Sequence, residues 1–201
     1  MIIGKKGIIG ACVTLEPLSN RHLNGLLDVV QKGNLWKVEE TVIPHPDKLN
    51  AFLLDANTAF LKGEELVFAI IDTTKHRIAG CTRFRSINIA HKKAVIGPTF
   101  IGIDFQRTHV NTEAKYLMLC HAFETWQLNR VELICDVLNI RSRNAIKRLG
   151  AKEEGIIRND QIMPNGRVRD SVIHSIIQDD WPNVKIALKE TAKQYSVLLS
   201  A

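Results

Sequence analysis

The stretch from Asp104 to Tyr116 reads Asp-Phe-Gln-Arg-Thr-His-Val-Asn-Thr-Glu-Ala-Lys-Tyr and joins an apolar run to the start of a helix. The run before it, Ile96 to Phe105, is interrupted by Gly97, Pro98 and Gly102. After it, Ala114, Leu117, Met118, His121, Ala122 and Trp126 recur at a helical period. Backbone N–H groups at a helix start have no partner within the helix, and the helix dipole is positive there. A turn carrying Arg107 and His109 in front of such a start is suited to hold an anion. Asn111 or Thr112 is the expected cap. Arg107, His109 and Lys115 can add charge toward that anion. The competing reading makes Arg107 and Lys115 a solvated basic face and His109 a simple turn residue.

A second polar group follows the apolar, β-branched run Arg130 to Val137. Asn139 stands at the start of a helix, and Ser142 falls in its first turn, a spacing that suits a side-chain cap.

The remaining elements are those needed to hold these two turns together. Residues 8–15 read as a strand closed by Pro17. Ser19 or Asn20 caps a helix through Gln31, residues 33–46 are irregular, and Asp47 caps a second helix through Lys62. Leu66 to Asp72, Arg77 to Ile87 and Lys93 to Ile103 read as strands. The helix opened by the anion turn runs to Gln127, and Arg130 to Val137 is a central strand. Ile140 to Leu149 is a helix, with Gly150 at a left-handed cap. Ala151 to Asn159 and Arg167 to Gln178 form a hairpin across Pro164-Asn165-Gly166. Val184 to Leu199 is a terminal helix with Ile186, Leu188, Tyr195 and Leu198 as its apolar contacts. Antiparallel meanders flanking a strand–helix–strand crossover at about 93–137 predict a mixed α/β sheet.

The chain has 201 residues, 45% of them hydrophobic and 24% charged, enough for one domain with a full core. No internal repeat or linker divides it. Its apolar runs are too short for a membrane span, and the N-terminus lacks a signal-peptide pattern. Cys12, Cys81, Cys120 and Cys135 are scattered among apolar neighbours. They predict neither a metal site nor a disulfide framework, but reduced thiols in a cytoplasmic protein. The net charge of +6 favours an anionic ligand. The basic residues are too diffuse, and the aromatics too few, to favour nucleic acid.

Three blocks carry a resemblance. Gln106-Arg-Thr-His-Val-Asn-Thr-Glu-Ala-Lys115 resembles the coenzyme A pyrophosphate loop of the GNAT superfamily of N-acetyltransferases, particularly its RimJ/RimL-like branch. Asn129-Arg-Val-Glu-Leu133 with Asn139-Ile-Arg-Ser-Arg-Asn-Ala-Ile-Lys-Arg-Leu-Gly-Ala151 is similar to a second block of that branch. Glu154-Gly-Ile-Ile-Arg-Asn159, Gly166-Arg-Val-Arg-Asp170 and Asp180-Trp-Pro182 are similar to a third. Together they cover about residues 95–182 in the correct order. The resemblance implies the GNAT fold, a central mixed, mostly antiparallel sheet flanked by helices. It implies one domain over 1–201, with about 183–201 as a C-terminal helical extension.

The resemblance also implies acetyl-CoA as co-substrate. Gln106, Arg107, Thr108, His109, Val110, Asn111 and Thr112 would cradle the pyrophosphate, Asn139 would hold the pantetheine arm, and Asn144 would add a contact. Ser142 would protonate the leaving thiolate, whose free thiol has a pKa of about 8.5. The family's loop reads Gln/Arg-x-x-Gly-x-Gly/Ala, whereas this one has no glycine. His109 and Asn111 stand where small residues are usual and would take any positive φ. The strand end where relatives often carry a glutamate base reads Phe100-Ile-Gly-Ile-Asp104, which leaves Asp104 as the nearest carboxylate. A tyrosine common in relatives would fall near Ile146. His174 is a lone candidate relay, and Glu113 is expected to serve the helix dipole.

The implied activity is N-acetylation by direct attack of a primary amine on the thioester. The acceptor is a protein N-terminus or a small-molecule amine, chosen by the early helices, the 33–46 loop and the 160–166 hairpin. A non-catalytic acyl-CoA sensor or scaffold is the alternative, and a homodimer through the terminal helix is a further expectation.

Overall fold

A computed structural model describes residues 4–199, with side chains to residue 191. Tyr195 and Leu198, expected as contacts of the terminal helix, have side chains outside the described residues. The elements in chain order are β1 (Ile8–Ile9), β2 (Val13–Pro17), α1 (Leu23–Gln31), α2 (Leu49–Leu61), β3 (Glu65–Asp72), β4 (Arg77–Asn88), β5 (Lys93–Ile96), β6 (Phe100–Ile101), α3 (His109–Cys120), β7 (Arg130–Asp136), α4 (Ile140–Arg148), β8 (Lys152–Ile162), β9 (Val168–Ile177) and α5 (Trp181–Leu199). The strands form one sheet in the order β1-β2-β3-β4-β5-β7-β9-β8, with β6 paired to β4. Only β5 and β7 among the described neighbours run parallel, as expected for strands joined through a crossover helix.

β3 shows how the sheet is covered. Leu66 through Ile70 are all buried, a continuous apolar run rather than an alternating one. Leu66, Phe68 and Ile70 join a core with α3, α4 and α5, whereas Val67 and Ala69 join a core with α1 and α2. Helices therefore lie on both faces. Among the described residues, no helix is long and apolar enough to cross a membrane.

Two expected strands are broken. Residues 8–15 divide at Gly10–Cys12 and fold back as a short antiparallel pair, with Ile8 opposite Leu15. A Cβ on Gly10 would lie 2.5 Å from Glu113 Oε1 and 2.8 Å from Val13 O, so the turn sits where only a glycine fits against α3. Lys93 to Ile103 divides at Gly97-Pro98, because proline has no N–H for the ladder. Gly150 takes the expected left-handed φ of 87° after α4.

β6 holds its place through Gly80, where a Cβ would meet Phe100 O at 2.1 Å. Gly80→Ala should therefore displace β6 and cost about 1–3 kcal/mol. A denaturation midpoint equal to the parent's would contradict this packing.

Candidate active site

The pairing of β5 with β7 ends at Val95 opposite Glu132. β7 runs on to Asp136 beside β9, while the chain opposite leaves β7 through Gly97, Pro98 and Thr99 and stays with β4, its partner on the other side, through β6. The sheet is therefore open between residues 96–99 and 133–136. Val131, Leu133 and Cys135 of β7 face α3 and α4, and the α1/α2 face lies behind them.

α3 begins beside this opening. Its cap is Thr108, not Asn111 or Thr112: Thr108 Oγ1 accepts from the Val110 N–H at 3.3 Å and donates to Phe105 O at 2.7 Å. The other first-turn N–H groups, at His109 and Asn111, remain open for an anion, as the geometry of a helix start dictates. Arg107, at φ 60°, makes the left-handed turn, whereas His109 and Asn111 are both helical. The turn thus keeps its course without glycine by placing the strain one residue before the cap. Gln106 is exposed, with its Nε2 donating to Ile101 O at 3.0 Å. Arg107 is exposed, and Asn111 and Thr112 are half-buried.

Two of the expected cradle side chains face elsewhere. Val110 is fully buried in the core and its N–H is already taken, so it does not serve a ligand. His109 is buried, with Nε2 facing Asp72 Oδ2 at 3.8 Å and, among the described residues, no hydrogen-bond partner. The helical φ that removes His109 from the turn also points its ring inward, leaving only its N–H for an anion.

Glu113 corrects a second expectation. It is buried, and its Oε1 accepts from the Cys12 N–H at 2.9 Å and the Val13 N–H at 3.3 Å. It clamps the β1–β2 turn onto α3 rather than serving the dipole from the surface. Cys12, His109 and Glu113 bring ligand-type atoms within 4.8 Å of one another, but this carboxylate is already engaged by the two N–H groups.

Lys115 was expected to face the phosphates or solvent. Instead it points into the sheet and is 6% exposed. Its Nζ lies 2.5 Å from Thr99 Oγ1 and 3.3 Å from Thr82 Oγ1, and among the described residues no carboxylate forms an ion pair with it. Burial pulls its pKa down to about 7. Thr99 is half-buried at the edge of the opening, so it links the amine to the gap. Helical spacing places Lys115 on the same face as Ala114 and Met118, a signal that was present but masked by its charge.

On the far side of the opening, Asn139 caps α4, with Oδ1 accepting from the Ser142 N–H at 2.9 Å. Burial raises the pKa of the Cys135 thiol, and the neighbouring Ser142 side chain acts to lower it. Asn144 is exposed on the next residues of α4. His174 is fully buried on the α3/α4/α5 face of β9, with burial lowering its pKa, and is no surface relay.

Asp104 lacks the surroundings of a base. Its carboxylate is 2.7 Å from Lys32 Nζ and 3.7 Å from Arg77, beside α1. The Lys32 hydrogen bond leads the effects that lower its pKa, so it holds its negative charge instead of taking up a proton.

Residues 13–152 match the acetyltransferase (GNAT) domain family. A Bacillus subtilis (strain 168) protein named "Putative ribosomal N-acetyltransferase YdaF" is 32% identical over 108 residues, 54% of this chain and 58% of that protein. The chain thus spans somewhat over half the length of that relative. A GCN5-related N-acetyltransferase from Brucella melitensis superposes with a TM-score of 0.85 at 27% identity, covering 96% of this chain and 87% of that one. The ribosomal L7/L12 α-N-protein acetyltransferase RimL, solved with coenzyme A, shares the fold at a TM-score of 0.75 and 18% identity, covering 87% of this chain and 99% of its own. With its sheet parting between β5 and β7 and its open helix start, the chain belongs to the GNAT acetyltransferase family.

Proposed function

We propose that this protein is an acetyl-CoA-dependent N-acetyltransferase acting on a primary amine, of a protein N-terminus or a small molecule. The observation that carries this assignment is a juxtaposition on one sheet face. It brings together the open N–H groups of α3, the unpaired length of β7 and the Asn139–Ser142 turn. The fold shared with a coenzyme A complex supports it.

The N–H groups of His109 and Asn111 receive the pyrophosphate, with the neighbouring backbone of Arg107 and Thr108 completing the cradle. Gln106, Arg107 and Thr112 flank it from the surface, and Asn144 adds a contact from α4. Asn139 keeps its amide NH₂ for the pantetheine arm, because only its Oδ1 is engaged by the helix. When acetyl-CoA is bound it supplies the thioester. The amine nitrogen forms the new bond to the acetyl carbon as the carbon–sulfur bond breaks. Ser142 passes its proton to the departing sulfur and regains one from solvent, to which Lys115 in turn releases the proton it takes from the amine. Lys115, uncharged above neutral pH, takes the proton lost by the amine by way of Thr99. The compartment is the cytoplasm, where the four cysteines stay reduced.

Thiol release from acetyl-CoA against a panel of amines tests the assignment. Release that depends on an amine supports it, and coenzyme binding without release from any amine makes the protein a sensor. Ser142→Ala should lower kcat about a hundredfold with little change in KM. A raised KM with kcat preserved would make Ser142 a binding residue. Asn139→Ala should weaken coenzyme A binding measured by calorimetry, and an unchanged affinity would remove it from the site.

Lys115 gives a pH signature. In the parent, kcat/KM should rise through about pH 7 as Lys115 loses its proton, and Lys115→Met should lack that limb. The sign for stability follows from the same shift. Between about 7 and the ordinary 10.5, the unfolded chain holds this proton and the folded chain does not, so stability rises with pH across that window. Relative to the parent, Lys115→Met should be more stable at about pH 6 than at about pH 9. Parallel melting curves at both values would place the charge in solvent.

A further inference from the structure

The α1/α2 face of the opening carries charge that the coenzyme does not use. Cys81 of β4 lies in the α1/α2 core, so Arg83 and Arg85, at alternate positions after it, point to the same side. On β9, Val172 and Ile176 lie in the opposite core, which puts Arg169 and Ser171 on the α1/α2 side. Asp136 pairs with Ser171 and shares that face.

Arg83, and Arg167 just before β9, are neutralised. Arg83 meets Glu65 at 2.8 Å, and Arg167 is paired with Asp136. Arg167 also donates to Glu39 O at 3.1 Å, drawing the 33–46 segment over the hairpin as a wall.

Arg85 and Arg169 are different. Among the described residues, neither has a carboxylate at ion-pair distance. Arg85 donates from Nε to Gly97 O at 3.1 Å, which fixes its guanidinium beside the residue where the sheet parts. Arg169 is 8% exposed, and among the described residues its Nε has no partner. Ser171 is fully buried, and its hydroxyl has no partner either. The two guanidiniums feel each other: after burial and the opposing effects of Glu65 and Arg83, Arg169 lowers the pKa of Arg85. Asp160 acts on Arg85 from a distance, and its own carboxylate accepts from Gln161 at 3.3 Å. A half-buried and a buried guanidinium with no carboxylate in contact are costly neighbours, and a planar carboxylate is the anion that a guanidinium fork fits best.

We infer that Arg85 and Arg169, with the Ser171 hydroxyl, form a subsite for a carboxylate on the acceptor, so that the amine acetylated here belongs to a molecule carrying a carboxylate close to it. This rests on the acetyltransferase assignment and names its substrate class. The pyrophosphate is no competitor for the subsite, because its cradle lies on the α3 face. A polyamine is disfavoured, because its second cation would approach two unneutralised arginines.

The full chain is tested with acetyl-CoA and four acceptor groups: free amino acids, peptides beginning with an acidic residue, the matched amides of both, and a polyamine. Thiol release is read alongside coenzyme A affinity by calorimetry. The expected result is a kcat/KM at least about tenfold higher for the acids than for their amides, one missing ionic contact being worth that factor or more. The first two groups distinguish a free carboxylate from an acidic side chain as its source. Arg169→Gln and Arg85→Gln should each collapse the acid-to-amide ratio toward one, and Arg169→Lys should restore part of it. Coenzyme affinity should stay unchanged, which also reports that the variants are folded.

Equal rates on acids and amides, or preference for the polyamine, overturn the subsite while leaving the acetyltransferase assignment standing. Release from no acceptor overturns that assignment. The subsite is then judged by calorimetry of N-acetylglycine against its amide on the coenzyme-loaded protein. Binding of the acid that Arg169→Gln abolishes supports it, and equal or absent binding of the two overturns it.

Discussion

The end of pairing between β5 and β7 is the constraint on which the rest of the molecule depends. Up to Val95 and Glu132 the two strands share a parallel ladder. Beyond that point Pro98 cannot donate, and Gly80 lets β6 press so close to β4 that the chain leaves its partner. A sheet buried on both faces cannot ordinarily leave backbone groups unpaired. The opening is tolerated where a ligand can supply the missing partners. Both helix-borne turns, at Thr108 and at Asn139, start at its margins.

The two faces of the opening have separate chemistry. On the α3/α4 side, hydrogen-bond donors are backbone N–H groups and the small side chains of Asn139 and Ser142. Glu113 and Asp72 stiffen the base of the α3 start from below, through Cys12, Val13 and Thr74. Among the described residues the buried amine of Lys115 bonds only hydroxyls, and such a group is tolerated in an apolar layer chiefly in its neutral form. On the α1/α2 side, the donors are arginines, and two of them lack an internal counter-charge. A ligand entering from each side would meet complementary groups, and only the gap between strands connects them.

Much of this arrangement was legible in the sequence, and the exceptions share one cause. Local rules found what depends on neighbours along the chain: the Asn139 cap, the left-handed Gly150 and the hairpin turn all follow from residues a few positions apart. The positions that went astray depend on partners far away. Glu113 reads as a surface residue until the β1–β2 turn, about a hundred positions earlier, is placed against it. Asp104 reads as a free carboxylate until Lys32 and Arg77 are brought beside it. Lys115 sits on the apolar face by its spacing, but its charge argued for solvent. His109 was assigned the positive φ because histidine tolerates it, whereas the chain spends that strain at Arg107, outside the helix, and so turns the imidazole inward. The expected strands over 8–15 and 93–103 were too long, because a glycine or proline inside an apolar run marks a break only when the packing beneath it is known.

In the proposed function, the start of α3 and the opened sheet edge hold one coenzyme A molecule on the α3/α4 face. Amide hydrogen exchange with and without coenzyme A tests it most directly. Added protection is expected at the N–H groups of His109 and Asn111 and along residues 97–101, with none in α1 or α2. Protection confined to the α1/α2 face, or an unchanged pattern at saturating coenzyme A, would contradict it.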